Sequence, residues 1–157
     1  MARAPFQVLV LPFRISEFGE YEFAIFRRED AGYWQGVAGG GEVGETIQEA
    51  ALREMNEEAN IPISVPFYQL KTMTYMPVYF FKAREQWPQD QYVIPGYCFA
   101  ADASGISIEL SHEHTEYKWV SYDDAAKMLY WSNNKTALWE LKERLRNGDL
   151  QQVRCRD

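Results

Sequence analysis

Runs of apolar residues and polar breaks divide the chain into segments. FQVLVLPFRI (6–15), rich in Val, Leu and Phe, predicts a buried strand; SEFGE (16–20) supplies a turn and YEFAIFRRED (21–30) the hairpin partner. The glycine-rich YWQGVAGGGEVGE (33–45) predicts a loop with unusual backbone angles. GETIQEAALREMNEEANIP (44–62) then reads as a helix. Thr46 and Glu49 form a T-x-x-E capping box that starts it near Ile47, and Asn60 suits the left-handed residue that ends it.

Beyond Pro62 and Pro66, FYQLKTMTYMPVYFFKA (67–83) predicts a strand whose Tyr75, Tyr79, Phe80 and Phe81 belong to the core, and AREQWPQDQ (83–91) a loop. YVIPGYCFAAD (92–102) and GISIEL (105–110) read as further strands. EYKWVSYDDAAKML (116–129) reads as a short strand and a helix capped by Ser121. The last helix, SNNKTALWELKERLRNG (132–148), places Ala137, Leu138, Leu141 and Leu145 on one face and stops at Gly148; the tail DLQQVRCRD is expected to fray. There is no internal repeat or linker. The expected class is α+β, a single domain over residues 1–157, with helices on both sides of a central mixed β-sheet.

Composition narrows the partners. With 46% hydrophobic and 25% charged residues the chain is an ordinary globular one. A net charge of −7 and no basic run argue against a nucleic acid polymer, whose binding rests on neutralising phosphates. A small anionic substrate stays compatible if a cation accompanies it. Cys98 and Cys155 are far apart and lack metal spacing, which fits a reducing cytoplasm. PFQVLVLPF (5–13) is too short for a membrane span, so no membrane partner is expected.

The helix carries an electrostatic cost. Glu54–Glu58 and Glu54–Glu57 are like-charge pairs at i,i+4 and i,i+3, each costing roughly 0.2–0.5 kcal/mol. Glu57 and Glu58 also sit in the last turn, against the macrodipole. Projected at about 100° per residue, Glu54 and Glu58 fall beside Ile47 and Ala51, on the side facing the protein body. A solvated charged face would put them elsewhere. A divalent cation removes the conflict: three carboxylates converge on one point, and hard oxygen ligands suit Mg2+ or Mn2+. The glycines just before the helix would let backbone carbonyls at Ala38 or Gly39 join the shell, with Glu42 and Glu45 close by.

Residues 39–61 resemble the Nudix box, G-x5-E-x7-R-E-U-x-E-E-x-G-U with U apolar: Gly39, Glu45, Arg53, Glu54, Met55, Glu57, Glu58 and Ile61 match, and Asn60 replaces the second glycine. The lead-in WQGVA has Val37 and Ala38 where Pro-Gly-Gly is frequent. YWQGVAGGGEVGET, EHTEYKWV and WSNNKTAL extend the similarity to the Nudix subgroup of dihydroneopterin triphosphate and deoxynucleoside triphosphate pyrophosphohydrolases.

The resemblance implies the Nudix fold and Mg2+- or Mn2+-dependent cleavage of a diphosphate bond in a small polyphosphate substrate. It assigns Glu57 and Glu58 as principal metal ligands, Glu54 as ligand or general base, and Arg53, with Glu45, as the group orienting the carboxylates. An outside carboxylate is expected from EHTEYKW, with Glu113 preferred over Glu116. Arg27 and Arg28 would hold phosphates or be ordinary strand-end residues; Trp34 and Gln35 would meet a pterin or purine ring, Trp34 equally being core. Trp131, Ser132 and Asn133 would line the pocket, or Ser132 caps a helix over a packed Trp131. His112 and His114 read as strand-end polar residues. For a triphosphate the products would be a monophosphate and pyrophosphate. A dinucleoside polyphosphate or nucleotide sugar is the competing substrate, and a non-catalytic nucleotide-binding module the competing class. The chain is expected to act as a monomer or homodimer.

Overall fold

β1 (Arg3–Ile15) feeds two hydrophobic cores, because successive side chains on a strand face opposite ways. Val8 and Val10 join one core with Ala24, Phe26, Val37 and Phe99. Leu9, Leu11 and Phe13 join the other with Phe23 and Ile25. The computed structural model describes residues 2–153; Cys155, within the predicted frayed tail, lies outside them.

The remaining elements are β2 (Tyr21–Arg28), β3 (Trp34–Gln35), β4 (Val37–Glu42), α1 (Ile47–Ala59), β5 (Phe67–Pro77), β6 (Val93–Asp102), β7 (His114–Val120), α2 (Tyr122–Met128) and α3 (Ser132–Asn147). The sheet runs β3-β2-β1-β6-β5, with β4 also on β1 and β7 on β2. β1 and β6 are parallel and the other pairings antiparallel, which makes the sheet mixed. α1 covers one face through Ala50, Ala51, Met55 and Ala59. Met55 is fully buried there, which stabilises the contact by about 2–3 kcal/mol. α2 and α3 cover the other face through Ala125, Ala137, Leu138 and Leu141. The expected helix–sheet–helix layering is present.

Four local expectations need correction. Residues 33–45 contain β3 and β4 rather than an open loop. Only Gly44 in that stretch has positive φ, at 94°. Gly39, Gly40 and Gly41 are strand residues whose missing Cβ leaves room for Glu54, Arg3 and Phe6 respectively. Close approach, not backbone freedom, explains them.

Residues 105–110 form no strand. Ile108 is buried in the α1 core, and the segment spends its amides on the end of α1: Glu109 N–H donates to Ala59 O at 3.0 Å and Ser111 N–H to Glu58 O at 3.1 Å. The predicted strand over 67–83 ends at Pro77 and gives way to 3₁₀ turns at Val78–Phe80 and Lys82–Gln86. Tyr79 and Phe80, in the first turn, and Tyr75, still on β5, are exposed instead of core. Ser121 caps α2 by accepting from Asp124 N–H at 3.2 Å. Ser132 does not cap α3: it is the first helical residue, behind Trp131.

Candidate active site

α1 begins and ends as its sequence dictates. Thr46 Oγ1 accepts from Glu49 N–H at 3.1 Å while Glu49 Oε1 accepts from Thr46 N–H at 2.9 Å. Asn60 closes the helix in the left-handed conformation at φ 55°, its amide bonded to Asn56 O. Between these caps the buried stripe of Ala51, Met55 and Ala59 fixes the rotation of the helix. That rotation turns Glu54 and Glu58 inward, the Glu54 side chain 13% exposed and the Glu58 residue 4%. The Glu57 side chain stays 58% exposed.

Arg53 is the hub of the α1–β4 junction. Its Nε and Nη2 grip the Glu45 carboxylate at 2.8 and 2.9 Å, and Nη2 also donates to Gly40 O at 2.9 Å. Nη1 reaches Glu54 at 3.0 Å and Glu57 at 3.3 Å. A planar guanidinium supplies such a fork; an ammonium does not. The Arg53 hydrogen bonds hold the Glu45 carboxyl below its usual range, and Glu45 in turn raises the arginine's pKa.

Glu58 is the centre of an acidic row. The carboxyls of Glu54 and Glu113 act on it from either side, and its Oε2 is buried without a donor. Burial first, and Glu113 and Glu54 next, push the Glu58 carboxyl up to about 10. Burial also raises Glu54, against the lowering effect of its hydrogen bonds. The Ser111–Glu58 main-chain bond is what brings Glu113 to this row. Among the described residues no three acidic, histidine or cysteine side chains surround a single point as a ready-made metal group. The donor chemistry nevertheless fits a hard dication: clustered carboxylate oxygens, one of them buried and unpartnered.

A cavity of about 720 Å3 opens over this row. Glu54, Glu58, Glu113, Ala38 and Gly39 line it, together with Arg28, Gln35, Trp131, Ser132 and Asn133. Glu57 and Glu45 do not: of the predicted i, i+3, i+4 trio, Glu54 and Glu58 face the cavity beside Glu113, and Glu57 faces outward. Arg28 reaches the cavity with its guanidinium bonded twice to Asp30 at 2.8 Å. Arg27 points elsewhere, to Gly32 O and Glu116. Glu116 is thereby occupied on the β2–β7 pairing, outside the cavity lining. Trp34 packs against the α3-side core under Lys118 Nζ, 5.4 Å from its ring centroid. Gln35, the next residue on β3, takes the opposite side and lines the cavity, 4% exposed with Nε2 lacking a partner. His114 begins β7 as expected, but buried against Phe26.

Several site residues escaped the sequence reading. Arg3 lines the cavity, placed there by the pairing of β1 with β4. Asn134 is buried and accepts from Gly36 N–H at 2.8 Å, tying α3 to the turn between β3 and β4. Tyr33 stacks on Tyr130 at 4.7 Å between centroids, and Trp131 meets both edge-on. None carries a local sequence signal, although the pairing of Asn134 with the SNN motif and of Tyr33 with Trp34 put them beside residues that did.

Comparison with known proteins agrees with this arrangement. A model of the NUDIX domain matches residues 10–139. The dihydroneopterin triphosphate diphosphatase of Escherichia coli K12 is 32% identical over 117 residues, covering 69% of this chain and 75% of that protein. A Listeria monocytogenes crystal structure, described as a NUDIX hydrolase, is 45% identical with a TM-score of 0.86, covering 96% of this chain and all of the other. A Caenorhabditis elegans Ap4A hydrolase shares the fold at TM-score 0.71 and 20% identity, covering 92% and 99%. A family model over most of the chain, together with a relative of this identity and coverage, shows that the protein belongs to the Nudix hydrolases.

Proposed function

We propose that the protein is a Mg2+- or Mn2+-dependent pyrophosphohydrolase that cleaves a pterin or (deoxy)nucleoside triphosphate to the monophosphate and pyrophosphate. The observation that carries the reading is the buried, unpartnered Glu58 carboxyl between Glu54 and Glu113, an arrangement that is costly without a cation. Glu58 and Glu113 would hold the metal, with Ala38 O as a further oxygen and Glu57 contributing from the rim, while Glu54, the alternative ligand, serves as base. The bound ion would acidify water and offset the phosphate charge.

The chain's own groups do the rest. Arg53 orients Glu54 through the 3.0 Å bond, and Glu54 takes up the proton as water attacks phosphorus and pyrophosphate departs. The Gln35 amide, buried with a free N–H, meets a ring acceptor in the cavity that Trp131 and Asn133 also line. Arg28 meets the phosphates from the Glu113 side. The name of the E. coli relative supports the pterin triphosphate in particular. Phe80 and Phe81, which also line the cavity, favour a second reading in which the substrate has a ring at both ends, as in a dinucleoside polyphosphate. The buried free thiol of Cys98 fits a reducing, cytoplasmic setting.

The test is a hydrolysis panel with Mg2+ or Mn2+: dihydroneopterin triphosphate, deoxynucleoside triphosphates, diadenosine polyphosphates and ADP-ribose. Pyrophosphate release from a triphosphate, lost on chelation, is expected. Release of orthophosphate alone, or turnover that survives chelation, overturns the proposal.

A further inference from the structure

Arg3 is placed at the cavity by an irregularity in the sheet. The β1–β4 register jumps between Arg3, opposite Glu42, and Gln7, opposite Gly40. Such bulges bend a strand and re-aim its side chains. The side chain then crosses β4 over Gly40, where a Cβ would collide with the guanidinium. It is held from beneath by the rings of Phe81 and Trp87, 5.3 and 5.8 Å from Cζ, and Trp87 Nε1–H donates to Arg3 O at 2.9 Å.

This preparation leaves the charge unmatched. No carboxylate lies within ion-pair distance of Arg3 among the described residues; Nη2 meets only the Gln7 side chain and Phe6 O, and Nε is buried with no acceptor. The other arginine on the cavity wall, Arg28, is already bonded to Asp30 on two nitrogens. Arg3 is also close enough to Glu54 to feel its charge, as Arg28 feels that of Glu113. The wall therefore carries one guanidinium at each end of the Glu113–Glu58–Glu54 row. Only the Arg3 end has a fork without an anion.

We propose that Arg3 is a phosphate-binding residue, whose guanidinium receives the substrate's phosphate chain on the Glu54 side of the acidic row. This rests on the pyrophosphohydrolase reading for its substrate, but its ligand is the phosphate chain itself. A guanidinium binds phosphate oxygens in a bidentate manner, and the flanking rings and the Gly40 gap fix it in advance, so little side-chain freedom is lost on binding.

The experiment uses inorganic tripolyphosphate as probe, titrated calorimetrically with Mg2+ present into wild type, Arg3→Lys and Arg3→Met. Arg3→Met is expected to weaken binding by roughly ten- to a hundredfold, Arg3→Lys to restore part of it, and Mn2+ binding without phosphate not to weaken. With the true substrate the loss should appear in KM more than in kcat. Equal affinity of wild type and Arg3→Met, or a wild type that does not bind tripolyphosphate, overturns the proposal. So does a parallel loss of Mn2+ binding, which would mark a merely structural role. If Arg3→Met does not fold, the wild-type Arg3 Nε–H resonance, assigned by its absence from Arg3→Lys, replaces it: a shift on adding tripolyphosphate supports the proposal and an unmoved resonance overturns it. Tripolyphosphate binding that depends on Arg3 in a protein that hydrolyses nothing in the panel would sink the enzymatic reading and leave this one standing.

Discussion

The Glu140 carboxylate on α3 accepts from both the amide and the hydroxyl of Thr72 on β5, at 2.8 and 2.7 Å, and from Lys71 N–H at 2.7 Å. The β5–β6 register jumps between Gln69 and Met73, so these amides fall in the irregular stretch. A helix side chain thus takes the place of a strand partner on an edge strand, while Arg144 holds the carboxylate from behind at 2.8 Å. Glu140→Ala would leave those donors without their acceptor and destabilise the protein by about 3 kcal/mol, a fall in Tm of roughly 6–12 °C. Burial alone would raise the Glu140 carboxyl; the bonds from Lys71, Thr72 and Arg144 outweigh it and hold the carboxyl below its ordinary value. Its contribution is therefore complete above the unfolded pKa, near about 4.3, and is lost as pH falls through the lower folded value. Denaturation midpoints of wild type and variant should be well separated at pH 7 and converge in acid. A constant gap down to pH 2 would exclude this linkage.

Glu58 gives the opposite sign. Its folded pKa is raised, so the metal-free protein is favoured below the unfolded carboxyl pKa and loses stability as pH rises towards about 10. Glu58→Gln removes the ionisable group while keeping the shape. Under chelation it should be more stable than wild type at pH 8–9, and the two should agree near pH 4. Adding Mn2+ should stabilise wild type increasingly with pH and leave Glu58→Gln nearly unchanged, because metal competes with protons for the same oxygens. Urea denaturation with and without Mn2+ measures both. Equal stabilisation of the two proteins by Mn2+ would remove Glu58 from the ligand set.

Gly39 is where β4 and Glu54 cannot both have a side chain. A Cβ built there collides with all three atoms of the Glu54 carboxylate. Gly39→Ala is expected to displace Glu54 from its bond with Arg53 while leaving the β1–β4 pairing of Gly39 with Val8 intact. A misplacement of about 1 Å in a reacting group costs on the order of a hundredfold in rate. The variant should therefore keep its fold by circular dichroism and lose kcat by that order. Full activity would show that Glu54 has no required position.

How far the sequence foretold this site depends on the range over which each signal acts. The capping box, the Asn60 stop and the inward rotation of Glu54 and Glu58 are set within α1 itself, by periodicity and cap chemistry, and were legible. The outward direction of Glu57 was missed, although the rotation that buries Ala51, Met55 and Ala59 sets it too. The strand glycines looked like a flexible loop because their use is to make room for side chains from elsewhere, and no local pattern reports that. Residues 105–110 have the composition of a strand, yet their amides go to the end of α1. Arg3 is the extreme case: a lone arginine ahead of an apolar strand gains its meaning only from β4, Phe81 and Trp87, which lie far along the chain.

Gln35 is predicted to select the ring that the cavity accepts. It alternates with Trp34 on β3, so the core packing of Trp34 forces the Gln35 amide to the cavity side. Asn134 fixes the neighbouring Gly36 amide, which removes freedom from the strand carrying Gln35. The amide is buried and its Nε2 has no protein acceptor, so a substrate acceptor gains a hydrogen bond that costs the protein nothing it already had. Gln35→Leu keeps the volume and removes the donor. For a ring substrate the expected result is a ten- to hundredfold rise in KM, on the order of one buried hydrogen bond, with kcat changed much less and inorganic tripolyphosphate binding unchanged. Gln35→Glu, which substitutes an acceptor for the donor, should bind the same ring worse still. Steady-state kinetics on the best substrate of the panel, with both variants, separates ring recognition from phosphate recognition; an unchanged KM in both would move the ring away from Gln35 and towards Phe80 and Phe81.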